Sequence, residues 1–306
     1  MGSFLRSDDD VLVLDGGLAT ALEAAGADLR DELWSARLLL DDPAAIAAAH
    51  RAYLDAGADV VITASYQASV EGFTTRGLTP DDASALIGRS VSLGREVRDD
   101  WWGEGRAGRR RPLVAASVGP FGAVLADGSE YTGRYDLDVD DLVSFHTPRL
   151  RLLLASDPDL LAIETIPSID EARALARAFE LLPDAPPAWW SFQCRDETHL
   201  ADGTPFAEAV DVATSVSSTF ATGVNCTDPH VVDRLVETAA SRSQLPVVVY
   251  PNRGARWEVS AKRWEGGGAD LAALAPRWRD AGARLIGGCC GTLPDDIGAI
   301  AAALGR

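Results

Sequence analysis

Residues 283–292 read Ala-Arg-Leu-Ile-Gly-Gly-Cys-Cys-Gly-Thr, a short apolar run followed by two adjacent cysteines in a glycine frame. The run 283–286 predicts a buried strand, and the glycines permit backbone angles and close approaches that a side chain would forbid. Adjacent cysteines do not easily form a disulfide with each other, whereas two thiolates at a strand end suit a soft metal such as zinc. This stretch therefore predicts a strand that ends at a metal site.

A third cysteine, Cys226, also follows a short apolar run, residues 220–224. Three sulfurs at two strand ends make a plausible metal site, with candidate ligands Cys226, Cys289 and Cys290. The competing interpretation is that these cysteines are reduced and buried as small apolar residues, which is the commonest fate of a free cysteine. The fourth, Cys194, has a weaker sequence context and is assigned to the core.

Seven other apolar runs resemble the one before Cys289, and helical patterns separate them. Such alternation argues for parallel strands joined by helical crossovers. Eight strands predict α/β architecture, a single (β/α)8 TIM barrel that occupies residues 1–306 as one domain. The predicted strands are residues 11–14, 59–63, 113–118, 160–164, 188–194, a run ending at Cys226, 247–250 and 283–286.

Active sites of such barrels lie at the carboxyl ends of the strands. The predicted loops after the second, third and seventh strands are long, and two carboxylates, Asp15 and Glu164, lie at predicted strand ends. Because burying an unpaired carboxylate is costly, Glu164 either has a structural partner or awaits a cationic ligand. Asp15 either binds a ligand or caps the helix that begins near Leu18.

The composition limits the classes of function. Lys and Arg number 28 against 46 Asp and Glu, and the resulting formal charge of −18 disfavours nucleic acid and acidic membrane surfaces. Four cysteines are too few for a disulfide framework, and no stretch has the pattern of a signal peptide or a membrane span. We expect a soluble, cytoplasmic protein whose partners are small molecules; the sequence leaves its oligomeric state open.

Three thiolates on zinc leave one tetrahedral position open, as in catalytic rather than structural sites. The first shell is then anionic, so the metal is a poor Lewis acid but can hold a further thiolate that stays electron-rich. Alkylation of that thiolate is the reaction that this chemistry favours.

The chain resembles the homocysteine S-methyltransferases, which are related to betaine–homocysteine methyltransferase and to the homocysteine-binding module of cobalamin-dependent methionine synthase. Residues 223–226 and 287–292 resemble the zinc signature of that family. The resemblance runs in order through almost the whole chain and includes residues 15–17, 33–35 with Pro43, 63–67, 117–122, 126–131, 164–165 and 250–252.

The resemblance implies that zinc is the cofactor, that homocysteine sulfur takes its open position, and that the zinc ligands are Cys226, Cys289 and Cys290. It also implies that Glu164 and Asp15 hold the substrate ammonium, while the backbone at Gly16 and Gly17 receives the carboxylate. Glycine N–H groups before a helix do favour an anion. The mechanism hypothesis is in-line attack of the thiolate on a methyl group of a cationic donor, aligned by the barrel without a protein acid or base.

Cations without hydrogen-bonding protons are recognised by aromatic faces. Trp34 matches a family tryptophan that lines the donor site, and Phe121 or Tyr131 would complete that surface; ordinary packing is the alternative for each. Residues 117–122 and 126–131 resemble the branch that uses S-methylmethionine more than the betaine branch. We therefore expect S-methylmethionine, or else S-adenosylmethionine, as donor; a cobalamin donor would have to arrive on another protein.

Two other functions fit part of the sequence. One is a zinc-dependent hydrolase on the same barrel, although hydrolases usually use histidine and carboxylate ligands, and no histidine ends a predicted strand. The other is a non-catalytic zinc or redox protein whose cysteines respond to oxidation. Turnover separates this last function from an enzyme.

Overall fold

The computed structural model describes residues 4–7, 9–29, 34–258, 263–266 and 268–306, with the side chains of all of these except 34–36, 255–258 and 263–266. Within these ranges, eight parallel strands form one sheet, and the predicted barrel is confirmed. The strands, with a two-stranded hairpin (β8 and β9) between the seventh and the last, are β1 (Leu12–Val13), β2 (Val60–Ile62), β3 (Leu113–Val118), β4 (Leu160–Ile166), β5 (Ala188–Phe192), β6 (Thr219–Asn225), β7 (Val247–Tyr250), β8 (Ala255–Glu258), β9 (Arg263–Gly266) and β10 (Ala283–Ile286).

The strands follow one another around the barrel in the order β1-β10-β7-β6-β5-β4-β3-β2. A parallel bridge between Leu14 and Val60 joins the two ends of this order, so the sheet nearly closes on itself. Each of the eight predicted strands is present, with bounds that differ by a few residues. All eight carboxyl ends therefore meet at one face of the barrel.

Helices surround the sheet, and the crossover helices join successive strands. The helix over 43–56 shows how such an element is delimited: it begins after Asp42, whose side chain accepts a hydrogen bond from the Ala45 amide, and ends at Gly57 with φ of 122°. The helices are α1 (Leu18–Ala24), α2 (Trp34–Asp41), α3 (Pro43–Ala56), α4 (Val70–Thr74), α5 (Pro80–Gly103), α6 (Phe121–Leu125), α7 (Val139–Leu154), α8 (Ile169–Glu180), α9 (Phe206–Ser215), α10 (Val232–Arg242), α11 (Leu271–Asp280) and α12 (Pro294–Ala303).

The strands alternate between two apolar layers because successive side chains point to opposite faces of a sheet. In β4, Leu161 and Ile163 pack between sheet and helices, whereas Leu160 and Ala162 face the barrel interior. The interior layer also contains Ala115, Trp189, Ala221, Val248 and Tyr250 from neighbouring strands. Residues of the same parity nearer the carboxyl ends, Glu164 among them, therefore point into the mouth of the barrel.

The long segment after β7, residues 251–270, contains the antiparallel hairpin β8–β9, which the sequence analysis had treated as loop. No helix in the described parts of the chain has the length and apolarity needed to span a membrane.

Candidate active site

The sulfur atoms of Cys226, Cys289 and Cys290 lie within 4.8 Å of one another at the carboxyl ends of β6 and β10. The Cys226 and Cys290 sulfurs are 3.6 Å apart, and those of Cys289 and Cys290 are 4.0 Å apart. Sulfurs that ligate one zinc tetrahedrally at ~2.3 Å are separated by about 3.8 Å. The three thiols thus fit one tetrahedral metal, whereas Cys194 is buried in the apolar core.

Close backbone packing brings the two adjacent cysteines to this position. The Gly288 amide donates to the Asp15 carbonyl, and the Cys289 amide donates to the Pro251 carbonyl. A Cβ at Gly17 would lie 2.6 Å from the carbonyl oxygen of Cys289, so the turn after β1 needs glycine there. The loops after β1, β7 and β10 therefore interlock around the cysteines.

The three thiols lie close enough to influence one another's titration. Hydrogen bonding among them lowers the pKa of Cys226 and raises the pKa values of Cys289 and Cys290. Either sulfur can be the donor in the contacts of Cys290 with Cys226 and Cys289. A cation bound at this cluster would hold the thiols as thiolates.

A cavity opens beside the cysteine cluster, and the loops after β1, β2 and β4 complete its wall. Among the predicted site residues it is lined by Gly16, Gly17, Tyr131, Glu164 and the three cysteines; the other lining residues are Leu18, Ala19, Thr20, Ile62, Thr63, Ala64, Tyr66, Gln67, Thr165, Tyr250 and Gly288. The structure thus brings together predicted metal and homocysteine residues that are far apart in sequence.

Glu164 is buried, with 6% of its surface exposed, and two hydroxyl groups hold its carboxylate. Ser117 donates to Oε1, and Tyr250 donates to Oε2 at 3.2 Å. The Tyr250 hydroxyl is itself fixed by Trp189 Nε1 at 3.0 Å and by the Ser191 hydroxyl at 2.6 Å. Burial raises the pKa of Glu164 to about 7. Its hydrogen-bond partners are both neutral hydroxyl groups, and the charge of the Arg149 guanidinium partly offsets the rise in its pKa.

Asp15 is also buried, and one of its oxygens has no partner. Oδ2 accepts a hydrogen bond from the Ile62 amide at 2.8 Å, whereas no hydrogen bond reaches Oδ1 from the described residues. Burial raises the pKa of Asp15, and the nearby Glu164 carboxylate raises it further. Helix α1 is preceded by Gly17 and has no side-chain cap, so the capping alternative for Asp15 is wrong. Two buried carboxyl groups in one region suit a cationic ligand.

The two glycine amides differ in availability. The Gly17 amide donates to Thr292 Oγ1 at 3.0 Å, and Thr292 Oγ1 donates to the Cys289 carbonyl at 2.6 Å. The Gly16 amide donates to no described atom and lines the cavity. Of the two amides, that of Gly16 is free to meet an anion.

The three predicted donor-site aromatics have different positions. Tyr131 lines the cavity, with its hydroxyl oxygen 3.7 Å from the Cys226 sulfur. Phe121 is absent from the described lining of this cavity and packs edge-on against Tyr135 and Phe145. Trp34 begins α2, but its side chain lies outside the described residues.

Sequence reasoning assigned no role to several polar residues that shape the cavity. Tyr66 and Gln67 line it from the loop after β2, and the Gln67 side chain donates to the Ala123 carbonyl at 2.8 Å. Strand parity was the signal that would have found Ser117, Ser191 and Tyr250, because all three share the inward register of Glu164.

Comparison with known proteins agrees with this geometry. Residues 12–304 match the family model for homocysteine S-methyltransferase. Homocysteine S-methyltransferase YbgG of Bacillus subtilis is 44% identical over 296 residues, which span 95% of this chain and 94% of YbgG. A homocysteine S-methyltransferase of Escherichia coli is 45% identical over 302 residues, which span 97% of this chain and 96% of that protein.

Solved structures of a homocysteine methyltransferase also resemble this chain. The metallated form of the homocysteine methyltransferase MmuM from Escherichia coli superposes with a TM-score of 0.86 at 44% identity, and the match covers 96% of each chain. Its oxidized form superposes with a TM-score of 0.87 at 43% identity. Because a family model spans nearly all of the sequence and close relatives match it end to end, this chain belongs to the homocysteine S-methyltransferase family.

Proposed function

We propose that this chain is a zinc-dependent enzyme that transfers a methyl group from a sulfonium donor to the sulfur of L-homocysteine and so forms methionine. One observation carries the proposal: the three clustered cysteines and the buried carboxylate residue Glu164 line the same cavity. A thiol with an ammonium group is the ligand that both features recognise at once. Family membership supports the same substrate.

Zinc is the metal that this donor set favours. The cluster offers three thiols, and among the described residues no His, Asp or Glu joins it. Zinc bound there lowers the pKa of a further thiol and keeps it as a thiolate. MmuM has a metallated form, which supports a bound metal in this chain, and the cluster of Cys226, Cys289 and Cys290 is the site that we propose for it. Reduced cysteines at one centre fit a reducing compartment, and we propose the cytoplasm.

The chain's own residues bind and orient homocysteine. The carboxylates of Glu164 and Asp15 hold its ammonium group, with the partnerless Oδ1 of Asp15 as one acceptor. Tyr250 and Ser117 fix the direction in which Glu164 points. The Gly16 amide, with that of Gly17 once released from Thr292, receives the carboxylate. These contacts fix one end of the substrate while its sulfur lies at the cysteine cluster.

The methyl transfer requires alignment and no proton transfer by the protein. A bond forms between the homocysteine sulfur and the methyl carbon, the bond from that carbon to the donor sulfonium breaks, and its electron pair stays on the donor sulfur as a neutral thioether. No histidine lines the cavity within the described residues, in keeping with such a step. Alignment alone lowers such a barrier by roughly 7–11 kcal/mol.

The donor that we propose is S-methylmethionine, with S-adenosylmethionine as the second candidate. A cavity lined by Glu164 and by a cysteine cluster that would be anionic with zinc bound favours a donor with net positive charge over zwitterionic betaine. The Tyr131 ring supports a cationic methyl group next to the cysteines. Trp34 stays a candidate donor contact through the family resemblance alone, whereas for Phe121 we propose the ordinary-packing alternative, because it packs against Tyr135 and Phe145.

The test distinguishes the methionine formed from homocysteine from the methionine left when the donor loses its methyl group. The zinc-loaded protein is incubated with deuterated homocysteine and one unlabelled donor at a time: S-methylmethionine, S-adenosylmethionine or betaine. Mass spectrometry should detect deuterated methionine, and with S-methylmethionine an equal amount of unlabelled methionine. The Cys290→Ala variant should form neither. If zinc binds at one per chain and no donor gives deuterated methionine, the proposed transfer is wrong.

A further inference from the structure

Two non-glycine residues at the cavity adopt left-handed backbone conformations. Thr165 has φ of 61° and directly follows Glu164, while Cys226 has φ of 48° and directly follows Asn225. Left-handed backbone is unfavourable for residues with a Cβ, and most unfavourable for a β-branched residue such as threonine. The surrounding structure must therefore hold Thr165 in place.

The side chain of Asn225 does this through two reciprocal hydrogen bonds. Its Oδ1 accepts from the Thr165 amide at 2.7 Å, and its Nδ2 donates to the Thr165 hydroxyl at 2.7 Å. Asn225 has no exposed surface, and Thr165 is 2% exposed. Both bonds are thus shielded from water, where an unsatisfied partner would be most costly.

The pair links two strands that are not neighbours. Asn225 ends β6 and Thr165 lies in β4, while β5 lies between them in the sheet. Backbone pairing fixes β4 to β5 and β5 to β6. The Asn225 side chain joins the end of β4 directly to the end of β6. The link spans from the residue after Glu164 to the residue before Cys226.

We propose that Asn225 is a positioning residue that sets the separation between the ammonium-binding carboxylate of Glu164 and the metal-binding sulfur of Cys226. The inference rests on the proposed function, because homocysteine must reach both points with its two ends. Asn225 holds Thr165 in the left-handed backbone conformation and so fixes the direction of Glu164, the residue before Thr165. Because Cys226 directly follows Asn225, the direction of Glu164 is fixed relative to Cys226. The amide suits this role because its acceptor and its donor are on two separate atoms, so it can bond the Thr165 amide and hydroxyl at the same time.

The test uses a glycine rescue at Thr165. Four zinc-loaded proteins are compared: wild type, Asn225→Ala, Thr165→Gly and the double variant. Asn225→Ala should raise the KM for homocysteine about 10- to 100-fold, as expected for a small misplacement at an active site, while the KM for S-methylmethionine changes by less than about threefold. Glycine adopts positive φ without a penalty. The KM for homocysteine in the double variant should therefore be at least about fivefold lower than in Asn225→Ala.

A role in general stability predicts the opposite order. In that case the double variant, with two side chains removed, would be less stable than Asn225→Ala and no better at binding homocysteine. Thermal unfolding and zinc content, expected to stay at one per chain, are measured in parallel. An unchanged homocysteine KM in folded Asn225→Ala, or a double variant no better than the single one, would overturn the inference.

The two proposals fail in different ways. A wild-type protein that binds homocysteine but makes no methionine from any donor would refute the proposed methyl transfer. In that event calorimetric affinity for homocysteine across the same four proteins judges the role of Asn225. The rescue in affinity would then support the positioning role, and its absence would overturn it.

Discussion

The hydroxyl oxygen of Tyr131 lies 3.7 Å from the sulfur of Cys226, so an aromatic ring from the segment after β3 borders the cysteine cluster. A cation over such a ring gains roughly 0.5–2 kcal/mol. We therefore expect Tyr131→Ala to raise the KM for S-methylmethionine about 2- to 30-fold, and Tyr131→Phe, which keeps the ring, to raise it less. Initial rates at saturating homocysteine measure both.

Phe121→Ala is the matched control for this prediction. Phe121 is on the same segment but packs against Tyr135 and Phe145, outside the described cavity lining. Its loss should leave the KM for S-methylmethionine within about twofold. A larger effect at Phe121 than at Tyr131 would mean that the donor binds elsewhere.

Removal of any one clustered thiol should abolish tight zinc binding. Outer-shell changes at zinc sites already weaken affinity by 10- to 100-fold, so loss of a ligand should weaken it by more than about 100-fold. The variants are Cys226→Ala, Cys289→Ala and Cys290→Ala, and competition with a chromophoric chelator measures the affinity. Cys194→Ala is the control, because Cys194 is buried in the core. If Cys194→Ala keeps its zinc while the other three variants lose theirs, the three clustered cysteines are the ligands.

The charge on Glu164 should make amino-acid binding depend on pH. Its pKa is raised to about 7, so the carboxylate fraction grows as pH rises from 6 to 8. Binding of an ammonium group needs that carboxylate, and affinity should therefore increase about tenfold over this range. L-Methionine is the appropriate probe in calorimetry, because it has the ammonium and carboxylate but no thiol proton to lose.

Two variants separate the contributions to that pH dependence. Glu164→Gln should bind methionine about 10- to 100-fold more weakly at pH 8, and its affinity should change little between pH 6 and 8. Burial also raises the pKa of Glu130 to about 7, so Glu130 titrates in the same range. If Glu130→Gln rather than Glu164→Gln removes the pH dependence, the ammonium site has been assigned to the wrong carboxylate.

The sequence was sufficient for the barrel and for its cysteines, for a physical reason. Apolar runs mark buried strands, and parallel topology brings every strand end to one face, so Cys226 and Cys289 were expected on the same face once eight strands were counted. Glu164 followed by the same logic. A period of two along each strand then directs its side chain into the barrel.

Other features depend on three-dimensional packing and had no local signal. The hydroxyls around Glu164 come from three other strands, and their meeting depends on register around the barrel. Gly17 and Thr292 are paired through the closure of β1 against β10. The hairpin after β7 was missed because its residues follow no clear apolar alternation, and a charged residue on α7, Arg149, gave no sign that it is buried.

The guanidinium of Arg149 binds both loops that follow β2 and β3. It is 3% exposed and donates to the carbonyls of Gly119 at 2.8 Å, Ser65 at 2.6 Å and Tyr66 at 2.5 Å. Replacement by methionine leaves the carbonyls of Gly119 and Tyr66 without donors, at about 1–3 kcal/mol for each unsatisfied group, whereas the Ser65 carbonyl keeps the hydrogen bond from the Ala68 amide. We expect Arg149→Met to lower the unfolding free energy by about 3 kcal/mol or more.

Thermal unfolding at one fixed scan rate measures this effect, and Arg149→Met should unfold roughly 5–10 °C below wild type. Arg151 on the same helix is exposed and provides the control, because Arg151→Met removes the same charge without a buried partner and should change stability by less than about 0.5 kcal/mol. Tyr66 lines the cavity from one of the two loops, so the homocysteine KM should also rise in Arg149→Met. Equal melting temperatures for the two variants would mean that the carbonyls of Gly119 and Tyr66 find other donors, and that Arg149 is dispensable for the shape of the cavity.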